Sequence, residues 1–494
     1  MGPTDHHTRT TDDRTLSADP PTADPTADDR TLSAAETMMW RLEADRHLSS
    51  TFANITVLDR PPDLDRLRRR MERAVRRIPR LRRCIRPGFA NLTPARWVDD
   101  PEFDLDTHIR HIALPAPGTE RQLLDLAALV LADPFDPDRP LWQFVVVDGL
   151  TGGRAALIEK LHHTITDGEG GVRLAMEFLD LQRDAPGPHP TGADGDEDDD
   201  DAASPPQPGT ADADLAQADA VRTALASALR IPLGVVEQVR ELLAEPERIP
   251  AATATAGDTL AGLLDQVATT DRACSPLWTD RSLHRHIVVG SAPFDDTRRT
   301  ARRLGGTLNT AFLTLAAEAA GRYHTLSGAP VDALRASMAV STRTVESGAN
   351  AFTLARLLVP TAPMPIAERF RAVDDAVRCS ADRSTLPGLE VVATLAAPLP
   401  TAILTRLARQ QADTVDFATS NVKGSPVPLY VAGARLLHNH PVGPLGGVAF
   451  NLTLLSHDGS LDMGMNIDSV AVADPALLEA CLADAVDEFT AAAG

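Results

Sequence analysis

The pattern of apolar residues begins near Leu32, after a stretch that holds almost no large apolar side chain. Ser33 and Glu36 have the spacing of a capping box, so we expect a helix to start there and a strand to follow over Phe52–Leu58. Next, residues 64–86 carry apolar side chains at helical spacing on one face and many arginines on the other. This spacing predicts an amphipathic helix.

The following segment predicts a hairpin. Residues 97–113 alternate between polar and apolar, as an exposed strand does, and a helix is expected over residues 119–131. Residues 142–147 and 154–161 are apolar strands joined by a glycine-rich turn, which indicates an antiparallel pair. After the second strand, Asp167-Gly168 provides turn chemistry before a further helical pattern.

The second half mixes strands and helices in the same way. We expect Asn309 to cap a helix and Asp458-Gly459 to form a hairpin turn. The pattern as a whole predicts an α/β (mixed α+β) fold with two subdomains. Strands are expected within 283–289, 337–341, 351–359, 422–431, 448–456 and 460–467, and helices over 295–303, 309–323 and 475–492.

Composition changes divide the chain further. Residues 1–31 lack the apolar surface needed to offset ordering entropy, so a disordered tail is expected. Residues 184–214 contain ten acidic residues and no lysine or arginine, which indicates an acidic disordered linker. A helical connector is expected over 215–280, between an N-terminal subdomain (32–183) and a C-terminal subdomain (281–494).

Charge and cysteine content narrow the classes of function. The net charge of -21 over 494 residues argues against nucleic acid as a partner. The four cysteines lie far apart, with no metal-binding spacing. The N-terminal residues lack a signal-peptide pattern, and no run of about 18 apolar residues occurs. We therefore expect a cytoplasmic protein, whose contact with a membrane or lipid droplet would be peripheral.

His162 and His163 are the strongest candidates for chemistry. They stand where a strand ends before a turn and a helix, and a neutral imidazole held there can act as a general base. A pair of strand-end histidines without chemistry is the alternative. His438-Asn439-His440 has the spacing of a metal pair but no further ligand at suitable spacing, so no metal site is expected.

The arginine-rich face of residues 64–86 has two interpretations. A solvated amphipathic helix is favoured. The alternative is attraction to anionic lipid headgroups or to coenzyme A phosphates.

Several motifs together resemble a known family. His162-His163-Thr164-Ile165-Thr166-Asp167-Gly168 matches the HHxxxDG signature of coenzyme A-dependent acyltransferases, which include chloramphenicol acetyltransferase and the condensation domains of peptide synthetases. Pro140-Leu141-Trp142 precedes it by about twenty residues, and Ser420-Asn421 and the segment 428–435 follow in the expected order. From residue 32 to 489, apart from the acidic linker, the chain is similar to the bacterial wax ester synthase/diacylglycerol acyltransferase family.

The resemblance implies a fold and a set of roles. Two chloramphenicol-acetyltransferase-like subdomains would form a pseudo-dimer with a central tunnel. Trp142 is interpreted as core packing, and its alternative position is at the mouth of this tunnel. His163 would be the general base, and His162 would support and orient it. Asp167 would be structural, with Arg343 as a candidate partner, and Gly168 would keep the loop tight. The positions carried over as motif or structural residues are Pro140, Leu141, Trp142, Asn309, Asn350, Ser420 and Asn421.

The chemistry implied is direct acyl transfer. Acyl-CoA is the co-substrate, no cofactor is bound permanently, and the hydroxyl acceptor is diacylglycerol or a long-chain alcohol. No serine or cysteine nucleophile motif is present, which favours transfer without an acyl-enzyme. Donors for the oxyanion are expected either at the helix start near Asn309 or around Ser420-Asn421.

Three positions depart from the family pattern. The family usually has Asn-Asp at Asn309-Thr310, Gly-Asn at Ala349-Asn350 and proline at Lys423. These departures leave open O-acylation of a specialised metabolite as an alternative function. The arginine-rich helix and the expected peripheral contact with a membrane leave open a further alternative, a non-catalytic lipid-binding protein.

Overall fold

The computed structural model describes residues 30–88, 95–166, 168–185, 273–341, 352–383, 389–397 and 399–492. The acidic linker beyond Ala185 and the predicted helices of the connector lie outside these residues, as do residues 1–29 of the expected tail. Arg30 and Thr31, placed in that tail by composition, are instead paired with the strand at Arg96 and Trp97.

The first sheet has seven strands in the order β4-β5-β6-β1-β13-β12-β7. Its neighbours are antiparallel except for β4 and β5, which run parallel. A separate two-stranded sheet pairs β2 with β3. The strands are β1 Thr51–Leu58, β2 Arg83–Arg86, β3 Arg96–Asp99, β4 Ile109–Ala113, β5 Trp142–Leu150, β6 Arg154–His162, β7 Leu179–Asp180, β12 Tyr430–Val431 and β13 Ala434–Val442.

The second sheet has six strands in the order β10-β9-β11-β14-β15-β8. It is mixed, because β11 runs parallel to both of its neighbours while the other pairs are antiparallel. Its strands are β8 Arg285–Pro293, β9 Ala333–Ser341, β10 Phe352–Pro360, β11 Phe417–Val422, β14 Phe450–His457 and β15 Ser460–Asp468.

Helices pack against both sheets. They are α1 Ala34–Leu42, α2 Leu64–Arg77, α3 Leu105–His108, α4 Glu120–Ala132, α5 Gly168–Phe178, α6 Phe294–Arg303, α7 Leu308–Leu326, α8 Ile366–Arg383, α9 Leu389–Ala396, α10 Thr401–Ala412 and α11 Pro475–Ala491. Within the described part of the chain, none of them combines the length and the apolar character that a bilayer-spanning helix needs.

Local sequence signals account for many of these boundaries. Ser33 and Glu36 form the expected capping box of α1. β5 and β6 form the expected antiparallel hairpin. Asp458 (φ 43°) and Gly459 (φ 83°) make the turn between β14 and β15, and two consecutive residues with positive φ are typical of a type I′ hairpin. These predictions are confirmed.

Three element predictions are wrong. The helix predicted over residues 64–86 ends at Arg77, because Pro79 lacks an amide proton and the chain continues as a 3₁₀ turn and then β2. The single strand predicted over residues 97–113 is instead β3, α3 and β4, with Trp97 buried. The cap of α7 is Thr307, whose hydroxyl accepts the Thr310 N–H, so Asn309 lies inside the first turn.

The two sheets meet at β13. This strand comes from the second half of the chain, yet it pairs with β1 at the centre of the first sheet. The predicted boundary between subdomains at residue 281 did not indicate that a strand from the C-terminal subdomain joins the first sheet. Where β13 crosses β15, a Cβ on Gly464 would lie 2.2 Å from the carbonyl oxygen of Pro441, so only glycine fits at the crossing.

Candidate active site

The two histidines occupy the predicted strand-to-helix junction. β6 ends at His162, whose carbonyl accepts the Ile165 N–H at 2.9 Å to close a tight turn, and α5 begins at Gly168. The strand on one side of the motif and the helix on the other are therefore confirmed. Asp167 lies outside the described residues, so its predicted role stays a prediction.

His163 is half-buried and lies against an aromatic ring. Its ring centroid is 4.6 Å from that of Phe52, and its backbone N–H donates to the Ser50 carbonyl at 3.3 Å. Burial, with a smaller effect of the neighbouring His162, lowers the pKa of His163 to about 4, although the negative charge of Glu43 acts in the opposite direction. The imidazole is therefore neutral at neutral pH, the form in which it can accept a proton.

His162 is buried in a complete hydrogen-bond arrangement. Its Nδ1 accepts the Thr164 N–H at 3.2 Å and lies 2.7 Å from the Thr164 hydroxyl. Its Nε2 lies 2.9 Å from the Glu43 carboxylate. Because Nδ1 accepts an amide proton, we assign the ring proton to Nε2, which donates to Glu43. These contacts hold the His162 ring in one orientation.

The two side chains point to opposite faces of the first sheet, as consecutive residues at a strand end do. His163 lies on the face of Phe52, which packs against the core beneath α2 and α5. His162 instead lines a cavity of about 210 Å³ between the two halves of the molecule.

Both halves of the chain contribute to the cavity wall. The first half supplies Trp40, Phe135 and Leu141, and the second half supplies Leu283 and Leu445. Arginines from each half, Arg46 and Arg285, also line it. The wall combines apolar side chains with polar and charged ones, including Glu43 and Asp133. Such a lining suits a ligand that has both an apolar chain and a polar group.

The Pro140-Leu141-Trp142 motif supports the histidine strand. Leu141 lines the cavity, and its carbonyl accepts the His162 N–H at 3.0 Å. Trp142 is 1% exposed, donates its indole N–H to the Leu81 carbonyl at 2.8 Å and stacks on His108. This burial supports the interpretation of Trp142 as core packing.

Other predicted site residues lie elsewhere. The side-chain amide of Asn309 is 3.1 Å from the Met338 sulfur, while Ser420 is half-buried and Asn421 exposed on β11. These three are not among the described residues that line the cavity. Arg343 and Asn350 lie outside the described residues.

Thr310, which stands where the family usually has aspartate, contacts a carboxylate from another helix. The Thr310 hydroxyl donates to the carboxylate of Asp374 on α8 at 2.8 Å. A carboxylate is thus present beside the first turn of α7, although it comes from another helix.

The histidine pair on β13 is engaged by protein groups. His438 Nδ1 lies 3.2 Å from the Asp462 carboxylate, and His440 Nδ1 lies 3.1 Å from the Met463 carbonyl. Across the described ranges, no cluster of three or more potential metal ligands is found.

The arginines of α2 are largely ion-paired. Arg66 and Arg70 lie 2.7 Å and 2.5 Å from the carboxylate of Asp180, and Arg73 lies 3.1 Å from that of Glu177. Most of this face therefore joins α2 to α5 and β7, whereas Arg69 and Arg76 are exposed.

Sequence reasoning missed two residues that contact the histidine loop. Glu43 bonds His162 from 119 positions away, and Arg80 donates both to Glu36, at 2.7 Å, and to the Thr164 carbonyl, at 3.2 Å. Glu43 follows the first predicted helix, and Arg80 lies on the polar face of the helix predicted over residues 64–86. A charged residue is ordinary at either position. Only the tertiary contact distinguishes them.

Comparison with known proteins places this site in a family. Residues 32–312 match the wax ester synthase/diacylglycerol acyltransferase catalytic domain, and residues 348–490 match the WS/DGAT C-terminal domain. A Mycobacterium tuberculosis protein that bears the name of a diacylglycerol O-acyltransferase is 32% identical over 467 residues, covering 92% of this chain and 91% of the relative. A second protein of that species with the same kind of name is 27% identical over 474 residues, covering 91% and 93%.

Solved structures agree on the fold. The wax ester synthase/diacylglycerol acyltransferase of Marinobacter aquaeolei superposes with a TM-score of 0.61 at 20% identity, covering 94% of this chain and all of that one. The first condensation domain of the calcium-dependent antibiotic synthetase gives a TM-score of 0.52 at 15% identity, covering 94% and 96%. The predicted mixed α/β fold of the chloramphenicol-acetyltransferase type is confirmed. The chain therefore belongs to the wax ester synthase/diacylglycerol acyltransferase family and is an acyl-CoA-dependent acyltransferase.

Proposed function

We propose that this enzyme transfers a fatty acyl group from acyl-CoA to the hydroxyl of diacylglycerol or of a long-chain alcohol, with His163 as the general base. The observation that carries the proposal is the neutral, half-buried ring of His163 at the end of β6, beside Phe52. A hydroxyl is a poor nucleophile at neutral pH, so a positioned base is what this reaction needs.

The transfer proceeds in two steps. The His163 ring takes the proton of the acceptor hydroxyl as its oxygen attacks the thioester carbonyl. The tetrahedral intermediate then collapses, the carbon–sulfur bond breaks, and the coenzyme A thiolate leaves and takes the proton from His163. His162 does not exchange protons in this scheme, because both of its ring nitrogens are already engaged.

The cavity lined by His162 lies on the opposite face of the first sheet from His163, so we propose it for the apolar part of a lipid substrate and not for the reacting carbonyl. Apolar side chains form about half of the cavity wall, and Arg46 and Arg285 are among its polar lining residues. An acyl chain or a long-chain acceptor is stabilised by apolar burial of about 0.8 kcal/mol per methylene, and the arginines suit an anionic end. We therefore favour long-chain substrates.

A second candidate is O-acylation of a specialised metabolite. It is favoured by Thr310, which stands where the family usually has aspartate. The hydroxyl of Thr310 donates to Asp374 on α8. The thiol-release assay described below distinguishes these two functions when the acceptor is varied, because the functions differ only in the hydroxyl acceptor.

Peripheral contact with a lipid surface accompanies the proposal. Met176 and Leu181 are 66% and 71% exposed near α2, which also carries the exposed Arg69 and Arg76. Apolar and cationic groups together favour an anionic lipid surface. Sedimentation with vesicles containing phosphatidylglycerol tests this, and equal recovery with neutral vesicles would contradict it.

The assay for activity is thiol release from palmitoyl-CoA with dioleoylglycerol, hexadecanol or no acceptor. We expect acceptor-dependent release in the intact protein and a loss of about 10²–10⁴-fold in His163→Ala, the usual contribution of a general base. His284→Ala is the matched control, because His284 is exposed. Release that needs no acceptor, or that survives in His163→Ala, would overturn the proposal.

A further inference from the structure

Glu43 contacts the histidine loop through two donors. Its Oε1 accepts the Ser50 N–H at 2.6 Å and lies 2.9 Å from His162 Nε2. Burial opposes ionisation of this carboxyl, but the hydrogen bonds that it accepts from His162 and Ser50 outweigh it, so the pKa of Glu43 is lowered. The group is a carboxylate at neutral pH.

The Ser50 peptide extends this contact to the second histidine. Ser50 donates its N–H to Glu43 and accepts the His163 N–H with its carbonyl at 3.3 Å. Glu43 therefore holds the ring of His162 directly and the backbone of His163 through one peptide group. A single side chain restrains both histidines.

Stability of α1 does not explain this side chain. Glu43 is the C-cap of α1, where the negative end of the helix dipole disfavours a carboxylate. Arg41 is the basic residue of that last turn, and its guanidinium donates to the carbonyls of Ala397 and Leu399 rather than to Glu43. The favourable interactions of the Glu43 carboxylate are those with Ser49, Ser50 and His162, all outside α1.

We propose that Glu43 is a positioning residue for acyl transfer: it fixes the Nε2–H tautomer of His162, restrains the Ser50–His163 backbone and supplies a negative charge that favours the protonated form of His163 in the transition state. This inference rests on the proposed role of His163. It adds a residue of α1 to a site otherwise formed by β6 and its loop.

The charge has a specific consequence. A ring whose pKa is about 4 is a weak base, so a nearby carboxylate that favours the imidazolium raises its effectiveness during proton transfer. Glu43→Gln keeps an oxygen that can accept both hydrogen bonds but removes the charge. Glu43→Ala removes both, so the two variants separate charge from position.

Steady-state kinetics with palmitoyl-CoA and the preferred acceptor test the proposal. We expect Glu43→Gln to lower kcat by about 10-fold and Glu43→Ala by about 100-fold, the range over which loss of a carboxylate partner of histidine acts in metal sites. KM for palmitoyl-CoA should stay within about two-fold, because Glu43 acts on the base. A selective fall in kcat distinguishes positioning from a general loss of structure.

Asp45→Asn is the matched control. Asp45 lies two residues further on and pairs with Arg409 and His47, away from the catalytic histidines. We expect its kcat to equal that of the unaltered enzyme. Circular dichroism and thermal unfolding of each variant establish that the fold is kept, and the near-isosteric Glu43→Gln keeps the test valid if Glu43→Ala does not fold.

Nitrogen-15 spectra of histidine-labelled full-length protein give an independent readout. The intact protein and Glu43→Gln should show His162 as the Nε2–H tautomer, and Glu43→Ala should lose this preference. Unchanged kcat in both variants, together with an unchanged tautomer in Glu43→Ala, would overturn the inference even if His163→Ala is inactive. An active His163→Ala would instead overturn the proposed function.

Discussion

Glu159 and Asn54 lie opposite each other on β6 and β1, and the Asn54 side-chain amide donates to the Glu159 carboxyl group at 3.3 Å. Thr56 provides a second contact at 3.4 Å. Within the described residues, no lysine, arginine or histidine forms an ion pair with this buried group. Burial raises the pKa of Glu159 to about 7, although the two hydrogen bonds act in the opposite direction.

This pKa predicts a pH dependence of stability. The folded protein holds a proton on Glu159 that the unfolded chain releases near pH 4.5, so the free energy of unfolding falls between about pH 4.5 and about pH 7. Glu159→Gln should flatten this part of the profile and gain a few kcal/mol at pH 8. Urea unfolding at pH 5 and pH 8 measures the free energy of unfolding of each protein. Glu479→Gln, at an exposed position, is the control, and a Glu159→Gln profile that matches the unaltered protein would refute the prediction.

The pKa of His163 predicts the acid limb of the activity profile. As a base, His163 must be neutral, and it becomes protonated only below a pKa of about 4 in the free enzyme. We expect kcat/KM to stay level from pH 8 to about pH 5 and to fall below it, since kcat/KM reports the free enzyme. Circular dichroism at each pH separates this fall from acid unfolding. A midpoint near 6.5, the ordinary histidine value, would contradict the prediction.

Arg80 predicts a coupling between α1 and the histidine loop. Its guanidinium pairs with the buried carboxylate of Glu36, donates to the Thr164 carbonyl and lies over the ring of Trp97. Arg80→Ala should lower the free energy of unfolding by about 1–3 kcal/mol, because a buried carboxylate loses its partner, and should also lower kcat. Urea unfolding and the thiol-release assay measure both. Arg76→Ala, at an exposed position of α2, should change neither, and equal effects in the two variants would exclude a specific role for Arg80.

The crossing of β13 and β15 predicts a steric limit. Gly464→Ala would place its Cβ 2.2 Å from the Pro441 carbonyl oxygen, a backbone atom that cannot rotate away. We expect a loss of about 1–3 kcal/mol or more from overpacking. Gly290→Ala on the adjacent strand β8 meets no atom closer than 4.0 Å and should leave stability unchanged or slightly raised. Thermal unfolding of Gly464→Ala and Gly290→Ala tests this prediction. Equal melting temperatures of the two variants would contradict the close approach of β13 and β15.

Elements governed by neighbouring residues were predictable. The capping box at Ser33, the β5–β6 hairpin and the Asp458-Gly459 turn each depend on a few consecutive residues, and each is present. The predicted strand-to-helix setting of the histidines depends on the same kind of signal. The helix over residues 64–86 was predicted too long because apolar spacing continues past Pro79, although the backbone cannot remain helical there.

Contacts between distant segments were not predictable. Apolar alternation in residues 434–442 indicates neither which sheet they join nor that they pair with β1. Asn309 and Thr307 are both capable caps, and the residue types alone do not indicate that α7 begins after Thr307. Glu43 and Arg80 look like ordinary polar residues of helical segments until the fold brings them to His162 and Thr164.

The position of β13 also determines when the first sheet can be completed during synthesis. Asp59, just after β1, accepts the backbone N–H of Arg435, which leaves the ribosome 376 residues later. At about 5–20 residues per second, the exposed edge of β1 waits between about 20 and 75 s for its partner strand. An open edge over that period is a template for pairing with other nascent chains, so this enzyme should depend on chaperone protection early in its synthesis. A fragment that stops at residue 280 keeps the open edge permanently and should aggregate.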